Sequence, residues 1–242
     1  MNTGLKNYME NINSPWGTMM YRIIWAQIGD LKDLKILDFG SGFGLTANHF
    51  SQYNEVVAIE PDTEMAENRI TNFEYTQLIG SLDKLKSLED NSFDCIICHN
   101  VLEYVSDIDS ILKEFERVLK TGGNISIVKH NHSGRIMQKV VFENNIEEAL
   151  DLLDGGISQA QNFGTIHYYD IENILEKSKS LYIKKINGVR TFFGLQQKNE
   201  IKYEDQWADR MFKAEMRVCD DIAFKAIAFY HHIILVKNNL FG

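Results

Sequence analysis

The chain has 242 residues, 44% of them hydrophobic, with 34 acidic against 25 basic side chains and a formal charge of −9. That length supports one α/β domain with additions and excludes a small disulfide-stapled fold. The acidic balance argues against broad, nonspecific phosphate binding but leaves room for a local basic patch. Along the chain, apolar runs that read as strands fall at 34–39, 55–60, 75–79, 93–99 and 123–129, with helix-like segments between them. This alternation predicts βαβ units and a parallel sheet. The segment DIDSILKEFERVLKTGG predicts a helix with Asp107 as a cap, Ile111, Leu112, Phe115, Val118 and Leu119 on one face, and Gly122 and Gly123 as its stop. After residue 134 the pattern loosens. RIMQKVVFENNIEEALDLLDGG is amphipathic and YYDIENILEKS reads as a helix; LYIKKINGVRTFF and AFKAIAFYHHIILVKN read as late strands. The chemistry is therefore expected in the first half and substrate selection in the second.

Three cysteines, an odd number, and an opening MNTGLKNYMEN without an apolar segment lead us to expect a reducing, cytoplasmic compartment. Cys95 and Cys98 form a C-x-x-C inside FDCIICH, a run that reads as a buried strand. Residues three apart on a strand point to opposite faces, so the pair reads as two core thiols rather than a metal or redox pair. No run reaches the roughly 20 apolar residues of a membrane helix, and neither membrane nor metal is expected as a partner.

The stretch KILDFGSGFGL places Gly40, Gly42 and Gly44 at alternate positions after the first strand. A dinucleotide fold wants G-x-G-x-x-G, and counted from Gly40 the last position holds Leu45. A phosphate loop wants Gly-Lys-Ser/Thr, and GFGLTAN carries no lysine. The DFG at 38–40 lacks the other kinase signatures. Glycines at such a turn let a ligand lie against the backbone at the carboxyl end of a parallel strand, although a tight strand-to-helix corner would use them too. Glu60 ends the second strand 20 residues after Gly40, a spacing at which a carboxylate accepts hydrogen bonds from ribose hydroxyls.

The D-x-G-x-G-x-G turn, Asp38 to Gly44, resembles motif I of class I S-adenosylmethionine-dependent methyltransferases, and EDNSFDCIICHNVLEYVSDIDSILKEFERVLKTGGNISIV resembles that family's fourth-strand block. The resemblance implies an α/β, Rossmann-like seven-stranded sheet with helices on both faces, mostly parallel, with a carboxyl-terminal antiparallel hairpin pairing roughly 181–193 with 224–236. It implies S-adenosyl-L-methionine as cofactor, held by Asp38, Gly40, Ser41, Gly42, Gly44, Glu60, Pro61, Ser81, Leu82 and His99. Many members carry Asp where Ser81 stands, so a hydroxyl or backbone amide is expected to replace that contact.

In chain order, SPWGTMMYRIIWAQIGDL, KHNHSGRIMQKVVF, INGVRTFF and AEMRVCDDIAFKAIAFYHH are similar to the bacterial tRNA 5-carboxymethoxyuridine methyltransferases, which methylate the carboxylate of a modified wobble uridine. By that resemblance Arg22 pairs with the carboxylate of the cofactor's methionine part, a task suited to a guanidinium fork. Asn131, Gly134, Arg190, Arg217 and His232 also fall on matching positions, with Asn131, Arg190, Arg217 and His232 implied on the substrate side. Lys129 and His130 replace an expected aromatic pair, and Phe229 an expected arginine. The implied organisation is one methyltransferase domain: a helical cap (1–33), a cofactor core (34–130), and substrate-side helices with the hairpin (131–242).

A small molecule or tRNA is the expected substrate, and a monomer or homodimer the expected state. A carboxylate acceptor needs no general base, whereas a hydroxyl or amine could give its proton to His99, His130 or His132. Other readings are a small-molecule O- or N-methyltransferase, a nicotinamide oxidoreductase, and a catalytically idle activator subunit.

Overall fold

The structure is a computed structural model and describes residues 2–160 and 164–238. The elements begin with α1 (Thr3–Asn13), α2 (Pro15–Ile28), β1 (Lys35–Phe39), α3 (Leu45–Ser51), β2 (Glu55–Glu60), α4 (Thr63–Glu67), β3 (Thr76–Ile79), α5 (Leu82–Lys86), β4 (Phe93–His99) and α6 (Ile108–Val118). They continue with β5 (Leu119–His130), α7 (His132–Met137), α8 (Ile146–Leu153), β6 (Ser158–Ala160), β7 (Gly164–Ile166), α9 (Ile171–Leu175), β8 (Leu181–Val189), α10 (Asp205–Val218), α11 (Ile222–Lys225) and β9 (Tyr230–Lys237).

Seven strands form one sheet in the order β3-β2-β1-β4-β5-β9-β8, five of them parallel and the last two a carboxyl-terminal antiparallel pair. The parallel strands read as unbroken apolar runs because both faces of such a sheet are covered. Ile36, Leu37, Ile59, Ile96, Ile97, Ile125 and Ile127 are accordingly buried. Cys95 and Cys98 lie among them as free, buried thiols, and burial pushes the Cys95 thiol up to about 12.

Contacts divide the chain into two compact units: Met1–Gly29, Lys129–Tyr168 and Ile186–His232 form the first, and Asp30–Val128, Tyr169–Lys185 and Ile233–Gly242 the second. The second unit contains β1 to β4 and α3 to α6. The first contains α1, α2, α7, α8, α10 and α11.

Three expectations need correction. Helix α6 stops at Val118, four residues before Gly122, because Leu119 turns to an extended backbone (φ −75°, ψ 133°) and pairs with Phe93. Lys120 then bonds Asp94 at 2.8 Å, and Lys237 donates to the carbonyls of Glu116 and Leu119 at 2.7 and 2.6 Å. These partners draw the chain into β5 before the glycines are reached. The run beginning at Ala223 enters a strand only at Tyr230. Before it, Asp221 accepts the N–H groups of Ala223 and Phe224, which caps the short helix α11. The helix expected over 168–178 contracts to α9, capped by Asp170. The sequence also gave no warning of the small β6–β7 hairpin or of α10.

Candidate cofactor site

In the second unit, β2 and β4 end in Glu60 and His99, and β1 and β3 end beside Asp38 and Gly80. Asp38 pairs in register with Ala58 of β2 and Ile97 of β4, which places it deep in the sheet and only 3% exposed. Its Oδ2 is buried without a hydrogen-bond partner. Burial, and then the neighbouring Glu60 charge, raise this carboxyl from 3.8 to about 7, against the pull of the Ala47 N–H.

The chain leaves β1 through the glycine turn. The N–H groups of Gly40 and Ser41 both reach the carbonyl of Ile59, at 2.8 and 3.1 Å, and Gly44 N–H returns to the Ser41 carbonyl at 2.8 Å. Gly42 (φ 55°) and Gly44 (φ 69°) occupy the left-handed region that glycine enters without a Cβ penalty. Two of the three glycines serve the protein's own packing. A Cβ on Gly40 would stand 2.3 Å from Val101, and one on Gly44 would stand 2.0 Å from the Tyr75 hydroxyl. That hydroxyl donates to the Ile70 carbonyl at 2.8 Å.

Glu60, 6% exposed, ties the turn to β2. Its Oε2 accepts Gly42 N–H at 2.7 Å and its Oε1 accepts Asp62 N–H at 2.9 Å. Burial raises this carboxyl while the two N–H groups pull it back. Each oxygen keeps a second lone pair, so two further hydroxyl donors fit the group. Pro61, beside it, is exposed.

After β3, Gly80 N–H bonds the Glu60 carbonyl at 3.0 Å, and Ser81 N–H donates to Asp83 Oδ1 at 2.9 Å. An acid is therefore present at this turn, two residues beyond Ser81. Leu82 opens α5. At the end of β4, His99 Nε2 lies 2.8 Å from the Ser126 hydroxyl. Asn100 follows with a left-handed φ of 55° and bonds the Val128 carbonyl at 2.8 Å.

The turn therefore gathers Asp38, Gly40, Ser41, Gly42, Gly44 and Glu60, joined through β2 to Gly80 and Ser81. The Ser41 hydroxyl, like Asp38 Oδ2, is buried without a partner. Orphaned acceptors next to a carboxylate with lone pairs to spare fit a ligand that brings both an ammonium and a ribose diol. Sequence reasoning missed Ser126 and Glu103, the latter buried in the 3-10 turn Leu102–Tyr104. Glu103 helps raise the thiol of Cys98 and the phenol of Tyr169, after burial. Its only signal is one acid inside the apolar VLEYV.

The remaining candidates belong to the first unit. Arg22, in α2, bonds Asp209 at 2.7 Å and stacks 4.1 Å over Phe212. Asn131 spends its amide on the carbonyls of Ala226 and Ala228, at 2.9 and 2.8 Å. His232 is fully buried, with Nδ1 2.7 Å from Gln27 Oε1. Arg217 is exposed in the last turn of α10. Arg190 is 7% exposed, has a left-handed φ of 61°, and is ringed by Phe193, Phe229 and Tyr230. His130 packs on Phe229 and Tyr230, and His132 on Tyr168. Among the described residues, no group of three or more His, Cys, Asp or Glu could hold a metal, and no helix is long and apolar enough to cross a membrane.

Residues 37–127 match the family model of the methyltransferase domain, and the fold is that of the class I S-adenosylmethionine-dependent methyltransferases. Among solved structures, the phosphoethanolamine N-methyltransferase 2 of Haemonchus contortus in complex with S-adenosyl-L-methionine superposes with a TM-score of 0.63 at 17% identity, over 99% of this chain and 58% of that one. Among curated relatives, thiol S-methyltransferase TMT1B of Rattus norvegicus is 28% identical over 138 residues, 52% of this chain and 56% of that protein. The tRNA 5-carboxymethoxyuridine methyltransferase of Escherichia coli is 27% identical over 143 residues, 53% of this chain and 54% of that protein. The chain thus spans about half the length of these curated relatives. S-Adenosylmethionine is the cofactor that these matches support.

Proposed function

We propose that this chain is a methyltransferase that binds S-adenosylmethionine through residues 34–130 and methylates an acidic acceptor selected by residues 131–242, the carboxylate of a modified tRNA wobble uridine being the favoured case. The observation that carries the cofactor part is the bond between Glu60 and Gly42, together with the unpartnered, buried Asp38 Oδ2 and Ser41 hydroxyl. In this reading Glu60 accepts the ribose hydroxyls. Asp38 takes the anionic form when a cation settles near it, because a nearby positive charge reverses the effect of burial. Gly80, Ser81 and Leu82 flank the base with backbone and hydroxyl groups, and His99 lies at the same strand ends. Arg22 is already held by Asp209, so pairing with the cofactor's carboxylate would require exchanging that partner.

When bound, the cofactor supplies a methyl group on a sulfonium that carries its own leaving group. A carboxylate acceptor would already be ionised, so no residue of the chain would need to take a proton from it. The chain's contribution is then placement and exclusion of water. Asn131 and His232, bonded to Ala226, Ala228 and Gln27 inside the first unit, act by shaping it.

The likeness to the Escherichia coli tRNA enzyme supports the RNA acceptor, and the buried Arg190 supports an acidic one. An idle activator subunit is disfavoured because the glycine turn and Glu60 are intact and bonded to each other. We place the reaction in the cytoplasm. The test is incubation of purified protein with methyl-labelled cofactor and either bulk tRNA from cells lacking this gene or a panel of small carboxylic acids. Label in tRNA that is released by base as an ester is the expected result. Label in small molecules alone would overturn the RNA acceptor and leave a metabolite methyltransferase.

A further inference from the structure

Two cations are buried together in the first unit, and among the described residues no carboxylate is bonded to either. Lys202, 2% exposed, lies in the 3-10 turn Glu200–Tyr203. Its ammonium sits 4.6, 4.8 and 5.0 Å from the ring centroids of Trp16, Phe142 and Phe193, and its hydrogen bond goes to Asn199 Oδ1 at 3.1 Å. Arg190 shares the Phe193 ring, with its guanidinium 5.7 Å from the centroid, and its Nε is buried without an acceptor.

Among the described residues, the carboxylate that acts on Arg190 is Glu215, and it is occupied elsewhere. Glu215, 1% exposed, gives Oε2 to the Thr191 N–H and Oε1 to the N–H groups of Phe192 and Phe193, at 2.8, 2.8 and 2.7 Å. It therefore fixes the backbone that follows Arg190 rather than pairing with the guanidinium. Lys202 feels the guanidinium directly: burial, then the Arg190 charge, push its ammonium down to about 8. Left-handed backbone at a non-glycine residue is costly and persists where its surroundings enforce it, and here it holds Arg190 among the rings.

A guanidinium and an ammonium, both desolvated and mutually repelling, are stabilised by any negative charge that reaches them. Two cations against one internal carboxylate leave a surplus of one positive charge, which matches a monoanion. The unpartnered Nε edge of Arg190 matches a planar carboxylate taken side-on through two parallel N–H bonds. A tetrahedral dianion would be under-neutralised and poorly matched to that edge.

We propose that Arg190 and Lys202 form a receptor for a single carboxylate, the acidic group of the methyl acceptor, with Lys202 as a specificity residue beside Arg190. The assignment of that carboxylate to the acceptor rests on the methyltransferase reading above; the receptor itself does not. Aromatic rings shield both cations from water, so the pair discriminates by charge number and shape.

The experiment titrates sodium benzoate, and separately inorganic phosphate, into the intact protein by calorimetry, with S-adenosylmethionine binding measured in parallel. Saturable benzoate binding is expected, weakened roughly tenfold or more in Lys202→Met and in Arg190→Lys, which keeps the charge but loses the fork. Cofactor affinity should stay unchanged in both variants. No saturable benzoate binding by the parent, variants that bind benzoate as the parent does, or phosphate binding as tightly as benzoate would each overturn the proposal. If either variant fails to fold, the parent decides by its tryptophan indole N–H signals in nuclear magnetic resonance: benzoate should move the Trp16 signal and leave that of Trp25 in place, and no movement at Trp16 overturns the receptor. Loss of cofactor binding by the parent would instead strike the methyltransferase reading and leave benzoate binding to be judged on its own.

Discussion

Asp38 shows what a single buried carboxyl does to the molecule. Its ordinary value is 3.8 and burial with Glu60 nearby raises it to about 7, so across that window the folded chain holds a proton that the unfolded chain has released. Stability of the cofactor-free protein therefore falls as pH rises through the window, by up to about 4 kcal/mol from this group alone. Asparagine can still accept the Ala47 N–H and cannot ionise. Asp38→Asn is thus expected to gain melting temperature over the parent between about pH 5 and about pH 8, as read by thermal unfolding without cofactor; an equal offset at both pH values would contradict it. The spacing of Asp38, the three glycines and Glu60 was legible because it is local, set by strands that end in register. What the glycines make room for was not legible. Val101 and Tyr75, which fill the space at Gly40 and Gly44, come from other strand ends. Lys202 and Glu215 left no mark at all, since a charged residue in a polar stretch looks the same whether it folds inward or outward.

At the scale of elements, the βαβ half was readable because strand and helix alternate with clear periodicity and the parallel strands are apolar throughout. The reading failed where a boundary is set by a distant partner. Helix α6 ends at Val118 because Leu119 pairs with Phe93 and because Lys237, far along the chain, satisfies the carbonyls of Glu116 and Leu119 as well as Asn91 Oδ1. A lysine bonding the last carbonyls also complements the helix dipole. Lys237→Met is expected to destabilise the protein by about 1–3 kcal/mol, the usual range for hydrogen bonds to a charged group together with carbonyls left without a donor. Denaturant unfolding monitored by circular dichroism checks this, and an unchanged midpoint would show that the helix end does not depend on the clamp. The run 223–229 misled for a related reason. Its apolar residues suit a strand, yet Asp221 caps a helical turn there and Asn131 takes the carbonyls of Ala226 and Ala228, which removes them from sheet pairing.

For the whole molecule, a formal charge of −9 coexists with two buried cations that have no bonded carboxylate among the described residues, so the net charge of the chain says little about what its interior can attract. The fold class followed from the sequence, and the acceptor is assigned by proposal from the first unit. In the second unit, we propose that the Glu60–Gly42 pair at the glycine turn holds S-adenosylmethionine. Calorimetric titration of S-adenosylmethionine into the parent and into Glu60→Ala tests it most directly. The expected result is one saturable site in the parent, weakened in the variant by about 1–3 kcal/mol, or roughly 5- to 150-fold in affinity. A parent that binds no S-adenosylmethionine, or NADH in its place, or a variant that binds as the parent does, would contradict it.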